Sequence, residues 1–349
     1  MDDDPTAWPA AALRRLDAER AALEPTPLRA FPLAHDVAVL LKDESALPTG
    51  SLKHRAARAL FRHAIASGRI TEGTPVVEAT GGGAALAQAT FARLLGLPYT
   101  AVLPGAPDPR RAAPLEALGA EVRFVTPPLA IYATARELAA ATGGCFLDQY
   151  AHAAHALDHR GDDPAIELAA QLPAPPAWIV AGAGTGATAA AFGRHARTYG
   201  TGTRLAVADP ENSACFPAWV TGDLGYATGM PSRIEGIGRP RVEPGFLPGL
   251  YDLVVPVPDA ASVAAARAAR AATGLPVGGS TGTCLWAALH LAARPAATGT
   301  TIVAVLGDAA DRHLRTVHDD AWAAAKGLDP APYAAALDRF AAGGPFTPP

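Results

Sequence analysis

Lys53 is a candidate for chemistry that needs a primary amine. It is one of only three lysines, with Lys42 and Lys326, although lysine and arginine together number 29. It lies in the segment PTGSLKHRAA (48–57), where a turn leads into residues at helical spacing. An amine at a helix N-terminus lies in positive potential, which favours its neutral, nucleophilic form. A solvated lysine in the first turn of a helix would show the same pattern.

A glycine-rich segment, AGAGTGATAA (181–190), stands between a predicted strand and a predicted helix. Backbone N–H groups at such a junction can bind a phosphate, and Thr185 and Thr188 can add hydroxyl hydrogen bonds. No G-K-[ST] follows the glycines, so the segment is not a P-loop. A different kind of phosphate site and an ordinary tight turn both remain open.

Two further glycine turns each precede a predicted helix. VGGSTGTCLWAAL (277–289) places Ser280 at its apex, where a hydroxyl can hydrogen bond to a buried ring nitrogen or only cap the helix. VVEATGGGAALAQA (76–89) joins a strand to a helix through three glycines, and backbone amides there can bind a carboxylate. A close-packed turn without a ligand would have the same sequence.

The elements that must position these turns alternate between strand and helix. Alanine-rich segments at helical period separate apolar runs, a pattern typical of an open, mainly parallel α/β sheet covered by helices. The stretch from about Asp148 to Pro176 is predicted to be irregular, and the chain after Ala321 to be a helix followed by a disordered end. The apolar runs predicted as strands lie at 37–42, 75–80, 99–104, 121–125, 177–184, 204–210 and 301–308.

Composition favours a small-molecule site. The 349 residues are 50% hydrophobic and 18% charged, with a formal net charge of -4, so we expect neither a nucleic-acid nor a membrane partner. The three cysteines form no C-x-x-C pair and the histidines no H-E-x-x-H motif, so we expect no disulfide framework and no metal. These features, with an acidic N-terminus that lacks an apolar segment, favour a cytoplasmic protein.

Taken in chain order, these segments resemble the fold-type II pyridoxal-phosphate (PLP) enzymes of the cysteine synthase and cystathionine β-synthase family. The resemblance runs from roughly Pro27 to Arg315. It implies an α/β, two-lobed fold like that of the tryptophan synthase β-subunit, with PLP held as a Schiff base on Lys53, and a homodimer. We accordingly predict a smaller N-terminal lobe at 42–155 and a larger lobe made of 1–41 and 156–349.

The resemblance also implies roles for individual residues. FLDQYAHAAH (146–155) is similar to the family segment that supplies a substrate-contacting glutamine, and RIEGIGRP (233–240) to its G-I-G loop. Lys53 is the implied catalytic residue, and the implied cofactor-binding residues are Lys53, Gly83, Gly184, Thr185, Gly186, Ala187, Thr188 and Ser280. The implied substrate-binding residues are Thr80, Gly81, Gly82, Ala84, Gln149 and Gly236.

One loop departs from the family pattern. The family carries Thr-Ser-Gly-Asn-Thr or a close variant where this chain has Thr80-Gly81-Gly82-Gly83-Ala84, so two hydroxyls and one amide side chain are missing. Each charge-assisted hydrogen bond lost with them is worth about 1.5–3 kcal/mol. Three interpretations stay open: backbone amides and Thr80 still hold a carboxylate, the site accepts a larger or differently anchored substrate, or its activity has decayed.

Within the family, the chain looks closest to actinobacterial cysteine desulfhydrases. This implies a small amino-acid substrate, cysteine, converted to pyruvate, ammonia and sulfide. A serine beside the pyridine nitrogen cannot keep that nitrogen protonated, which favours β-elimination over transamination. A β-replacement synthase that uses a second nucleophile is the alternative, and a non-catalytic binding protein is the third. The segments that carry this resemblance are LKDESALPTGSLKHRAARALF, ADPENSACF and RIEGIGRPRVEPGFLPG.

Overall fold

The computed structural model describes residues 7–157 and 163–349, which form two compact units. The first comprises the described residues up to Glu24, Leu47–Thr49, and those from Lys53 to 157. The second comprises Pro25–Ala46, Gly50–Leu52 and 163–349. The first helix, Ala7–Ala21, packs within the first unit, and the division into the two predicted lobes stays a prediction.

Strands and helices alternate along most of the described chain. Its strands are β1 (Leu28–Phe31), β2 (Val37–Asp43), β3 (Val76–Ala79), β4 (Tyr99–Pro104), β5 (Glu121–Val125), β6 (Cys145–Phe146), β7 (Trp178–Gly182), β8 (Arg204–Pro210), β9 (Leu253–Val257) and β10 (Thr300–Leu306). Its α-helices are α1 (Ala7–Ala21), α2 (Lys53–Ala66), α3 (Gly82–Leu95), α4 (Pro109–Glu116), α5 (Ile131–Ala141), α6 (Gln149–Ala156), α7 (Pro164–Gln171), α8 (Ala187–Tyr199), α9 (Cys215–Thr221), α10 (Asp259–Thr273), α11 (Gly279–Ala292), α12 (Asp320–Ala325) and α13 (Ala331–Ala341).

The first unit is built on a parallel sheet with the strand order β5-β4-β3-β6. Helices α1, α2 and α3 pack together beside it, and the buried side chains of Phe61, Phe91 and Leu95 belong to this core. Because the strands are parallel, their carboxyl ends share one edge of the sheet. The loops after β3 and β4 and the start of α6 therefore lie at that edge.

The second unit is built on a six-stranded sheet with the order β1-β2-β10-β7-β8-β9. Only β1 runs antiparallel to its neighbour in this sheet. Strand β10 lies between β2 and β7, and α10 and α11 cover a core that includes Leu285, Trp286 and Ile302. No helix in the described part of the chain is both long and apolar enough to span a bilayer.

The fold class predicted from the apolar runs is confirmed, and each run contains a strand. Residues 148–176, predicted to be irregular, instead contain α6 and α7. Each of these helices starts after an aspartate that caps it: Asp148 accepts from the Ala151 amide at 3.3 Å and Asp163 from the Ala165 amide at 2.7 Å. Residues 158–162 of this stretch lie outside the described residues.

The C-terminal segment also differs from its prediction of one helix and a disordered end. It forms two helices, α12 and α13, and the chain then returns to the core of the second unit. The ring of Phe346 lies 5.1 Å from that of Trp286 and 5.2 Å from that of Phe340, between ring centroids. These aromatic contacts order a segment whose proline-rich composition suggested disorder.

Glu78 is a fully buried carboxyl group in β3, two residues before the glycine loop. It accepts hydrogen bonds from the backbone amides of Ala79 at 2.9 Å and Gln149 at 3.0 Å, and from Gln88 Nε2 at 3.3 Å. Burial raises the pKa of Glu78 to about 8, against the lowering effect of these hydrogen bonds. The protonated form is therefore favoured in the folded protein at neutral pH.

We expect Glu78→Gln to change how stability depends on pH. The folded-state pKa lies above the ordinary value of 4.5, so the native protein binds the extra proton and its stability falls as pH rises from about 5 to 8. A glutamine cannot ionise, so the variant should gain roughly 2–4 kcal/mol relative to the parent across this range.

Urea unfolding midpoints at several pH values between 5 and 8.5 would measure this difference. Glu116→Gln, which neutralises an exposed glutamate in α4, is the matched control for the loss of one acidic group. If the parent and Glu78→Gln lose stability in parallel over this range, Glu78 does not hold its proton as described.

Candidate functional site

The predicted site residues fall into two groups, one in each unit. Lys53, the loop Thr80–Ala84 and Gln149 belong to the first unit. Gly184–Thr188, Gly236 and Ser280 belong to the second.

Lys53 is the first residue of α2, the position expected from the sequence, and it is half-buried. Helix α2 is anchored one residue later, because His54 Nε2 lies 2.8 Å from Glu19 Oε1 in α1. Burial alone would raise the pKa of Glu19, but the hydrogen bond with His54 and the charge of Arg58 hold it below its ordinary value. The start of the lysine helix is therefore tied to α1 within the first unit.

The other two lysines occupy different environments. Lys42 is fully buried in β2, donates to the Thr26 carbonyl oxygen at 2.8 Å and forms an ion pair with Glu167. Lys326 is exposed at the end of α12. The ammonium of Lys42 is held in an ion pair and that of Lys326 is solvated. Lys53 is therefore the lysine suited to hold a cofactor.

The turn between β7 and α8 is the predicted phosphate-binding segment. Gly186 is the N-cap of α8 with φ of 76°, and a Cβ there would lie 1.8 Å from the Gly245 carbonyl oxygen. Thr185 and Thr188 on either side are buried. A side chain at residue 186 would displace the turn. The backbone amides at the start of α8 can therefore face a phosphate only if this residue is glycine.

The G-I-G loop packs directly on this turn. A Cβ at Gly184 would lie 2.2 Å from the Gly236 carbonyl oxygen, and a Cβ at Gly182 would lie 2.6 Å from Ile237. The Gly238 amide also donates to the Ala183 carbonyl oxygen at 3.3 Å. The structure thus brings together two segments, around Gly184 and Gly236, that were predicted separately.

Ser280 lies in the first turn of α11 and is half-buried. It follows Gly278, whose amide donates to the Asp308 carbonyl oxygen at 3.2 Å. A Cβ at Gly278 would lie 2.3 Å from Asp308 Oδ1, and one at Gly307 would lie 3.5 Å from Ser280 Oγ. The end of β10 therefore supports the serine turn through close backbone contacts.

Asp308 is a largely buried carboxylate that sequence reasoning missed. His313 Nε2 lies 2.8 Å from its Oδ2, and Arg312 also donates to it. Burial alone would raise the pKa of Asp308, but His313 and Arg312 hold it below its ordinary value. An acidic residue placed directly after a buried apolar strand is the signal that could have identified it.

The glycine loop of the first unit joins β3 to α3. Thr80 is buried, and its hydroxyl lies 3.4 Å from the Gly81 carbonyl oxygen. Gln149 is the buried first residue of α6, and its amide is held by Glu78 of β3. The structure therefore brings Gln149 and the loop Thr80–Ala84 to neighbouring positions at the carboxyl edge of the same sheet.

Arg111 of α4 is a second residue that the sequence did not single out. Its Nη2 would lie 3.3 Å from a Cβ at Gly81, so a guanidinium stands against the glycine loop. Arginine side chains on surface helices are common, and nothing in the local sequence around Arg111 distinguishes it from Arg110. Only the path of the chain shows which of the two faces the loop.

The residues present fit PLP chemically. Lys53 provides the primary amine that an aldehyde requires. The turn around Gly186 provides a close-packed backbone cradle, a helix N-terminus and two buried hydroxyls for a phosphate. Ser280 provides a hydroxyl at a glycine turn whose backbone is fixed by Asp308. Three different chemical requirements of one cofactor are therefore met by residues of this chain.

Comparison with known proteins agrees with this chemistry. Residues 20–308 match the family model described as pyridoxal-phosphate dependent enzyme. L-cysteine desulfhydrase Cds1 of Mycobacterium tuberculosis is 46% identical over 95% of this chain and 94% of its own length. N-(2-amino-2-carboxyethyl)-L-glutamate synthase of Ralstonia nicotianae is 30% identical over 82% of this chain and 84% of its own length.

A solved structure of a hydrogen sulfide-producing enzyme also resembles the chain. It aligns with a TM-score of 0.75 at 25% identity and covers 87% of this chain and 91% of its own. The fold-type II resemblance predicted from the sequence is confirmed by these matches. The chain belongs to the family of pyridoxal-phosphate dependent enzymes.

Proposed function

We propose that this chain is a PLP-dependent lyase that converts cysteine and water to pyruvate, ammonia and sulfide. The observation that carries this proposal is the 46% identity, over 95% of the chain, to a relative named L-cysteine desulfhydrase. The structure supports it with a lysine at the start of α2 and a glycine cradle at the start of α8.

Lys53 has two roles in this proposal. It would hold PLP through its amine, and its Nζ would accept the substrate Cα proton as a general base. When bound, PLP supplies an electron sink for the electron pair left at Cα. The C–S bond then breaks and sulfide leaves with its electron pair, after which water replaces the nitrogen to give pyruvate and ammonia.

The remaining predicted site residues position the reactants. Thr185, Thr188 and the amides at the start of α8 would hold the phosphate, and the Ser280 hydroxyl would face the pyridine nitrogen. A neutral hydroxyl does not keep that nitrogen protonated, which favours elimination over transamination. Gln149 and the loop Thr80–Ala84 bind the amino acid. Each of these assignments is part of the proposal and is supported by the placement of the residue in its own unit.

A β-replacement synthase is the second candidate. The relative from Ralstonia nicotianae, 30% identical, is named a synthase, and a solved structure at 25% identity is titled O-ureido-L-serine synthase. A synthase would use the same Lys53 chemistry but would pass the three-carbon unit to a second nucleophile. The two candidates therefore differ in product and share the cofactor site.

We further propose that the chain acts in the cytoplasm as a homodimer. The three cysteines, Cys145, Cys215 and Cys284, are buried and free, which suits a reducing compartment. The dimer is proposed from the family resemblance, and sedimentation velocity at micromolar concentration would test it. A single species of about the chain mass would contradict it.

We expect Lys53→Ala to remove the visible absorbance of the PLP-reconstituted protein and its production of sulfide and pyruvate from cysteine. The reason is that no other lysine can replace it: Lys42 is buried in an ion pair. Lys326→Ala, which removes an exposed lysine, is the matched control and should leave both properties unchanged.

The products decide between the candidates. Pyruvate and sulfide in equal amounts from cysteine alone support the lyase. Pyruvate absent from reactions with cysteine, O-acetylserine or O-phosphoserine, and a new amino acid formed only when a nucleophile is added, would support the synthase. A parent protein that cannot be reconstituted to give visible absorbance would contradict both.

We expect Gly186→Ala to weaken PLP binding by about 10-fold or more, because the new Cβ would collide with Gly245 and displace the phosphate cradle. Gly200→Ala, at the other end of α8, is the matched control. Gly200 also has positive φ, 57°, but nothing lies within 4 Å of a Cβ there. Both variants should lose about 1 kcal/mol to backbone strain, and equal PLP affinity by equilibrium dialysis would contradict the cradle.

A further inference from the structure

Arg111 stands beside the loop in which this chain departs from its family. Its Nη1 donates to the Pro104 carbonyl oxygen at 2.8 Å, at the carboxyl end of β4. Its Cζ lies 5.5 Å from the ring centroid of Phe124, which supports the flat face of the guanidinium. Its Nη2 approaches Gly81 so closely that a Cβ on that glycine would lie 3.3 Å away. The side chain is therefore held by two contacts while one nitrogen faces the loop.

The charge of Arg111 is not neutralised by a neighbouring carboxylate among the described residues. The adjacent Arg110 forms the ion pair with Asp108, at 3.2 Å. The hydrogen bonds from Arg110 are the leading reason that the pKa of Asp108 is lowered, and Arg111 contributes only through its more distant charge. A guanidinium has five N–H donors, and the Pro104 carbonyl oxygen uses one of them.

A positive charge beside the glycine loop would strengthen the binding of a carboxylate there. The side chains of Gly81, Gly82 and Gly83 offer no hydrogen-bond donor where the family pattern carries a hydroxyl and an amide. A Cβ at Gly81 would press on the guanidinium, which would have to shift by a few tenths of an ångström. The positive charge of Arg111 therefore lies beside the loop in which the side-chain donors are missing.

We propose that Arg111 binds the α-carboxylate of the amino-acid substrate at the loop Thr80–Ala84, replacing the side-chain donors that the loop lacks. This inference rests on the proposed function, because it requires that the loop is where the amino acid binds. It makes Arg111 a specificity residue: ligands with a carboxylate beside the amine gain affinity from it, and amines without one do not.

The test compares two ligands on PLP-reconstituted protein. L-alanine has no β-leaving group, and ethylamine is the same skeleton without the carboxylate. Dissociation constants come from the change in visible absorbance on titration. We expect Arg111→Gln to weaken L-alanine binding by about 10- to 100-fold, the value of a charge-assisted hydrogen bond, and ethylamine binding by less than about 3-fold.

Arg110→Gln is the matched control, since it removes a charge from the neighbouring position of the same helix and should change neither constant. Arg111→Lys should retain part of the L-alanine affinity, because it keeps the charge but not the planar pair of donors. Gly81→Ala should weaken L-alanine selectively, because its Cβ would press on Nη2 and it adds no hydrogen-bond donor of its own. These two variants decide the matter if Arg111→Gln does not fold.

The outcomes separate this inference from the proposed function. If the parent shows visible absorbance and responds to L-alanine, but the Arg111 variants bind both ligands as the parent does, the role of Arg111 is overturned and the proposed function stands. Equal weakening of both ligands would also overturn it, because that result indicates a structural role. A parent without PLP absorbance would overturn the proposed function itself.

Discussion

The turn that follows β10 is the constraint on which the candidate site residues of the second unit depend. The Gly307 carbonyl oxygen accepts from the Leu52 amide at 2.8 Å, and the Asp308 carbonyl oxygen accepts from the Gly278 amide at 3.2 Å. Isolated bridges join Ser51 to Asp308 and Val277 to Ala309. One short stretch of backbone therefore fixes both the residue before Lys53 and the turn before Ser280. The side chain of Asp308 reinforces it through His313 and Arg312.

Much of the sheet architecture could be predicted, because parallel strands covered on both faces appear in the sequence as continuous apolar runs. The strands that were missed show the limits of this signal. Strand β1 has only four residues, β6 has only two, and β9 contains Pro256, so none of the three forms a long apolar run. Helices α6 and α7 were missed although aspartates cap them, because the surrounding His, Asp and Pro residues obscured the helical period.

Residues of the candidate site could be proposed from the sequence where they lie in one continuous segment. The glycines and hydroxyls of the turn Gly184–Thr188 indicate a phosphate site by themselves. The lysine at the start of α2 likewise indicates a primary amine at a helix N-terminus. The contacts of Arg111 with Gly81 and of Asp308 with Gly278 were not predictable, because each joins two segments about thirty residues apart in sequence. Arg111 reaches Gly81 across the end of β4, and Asp308 reaches Gly278 across the end of β10. Such contacts depend on strand order, which no short motif records.

The scarcity of lysine has a practical consequence for work with this chain. Lys42 is sealed inside the second unit, with its ammonium held by Glu167 and the Thr26 carbonyl oxygen. Amine-directed reagents therefore meet few targets besides the amino terminus: the exposed Lys326 and the half-buried Lys53. If Lys53 holds the cofactor as proposed, a molecule with the cofactor bound acquires one tag fewer than a molecule without it, and the mass difference between the two gives the fraction of molecules that carry the cofactor.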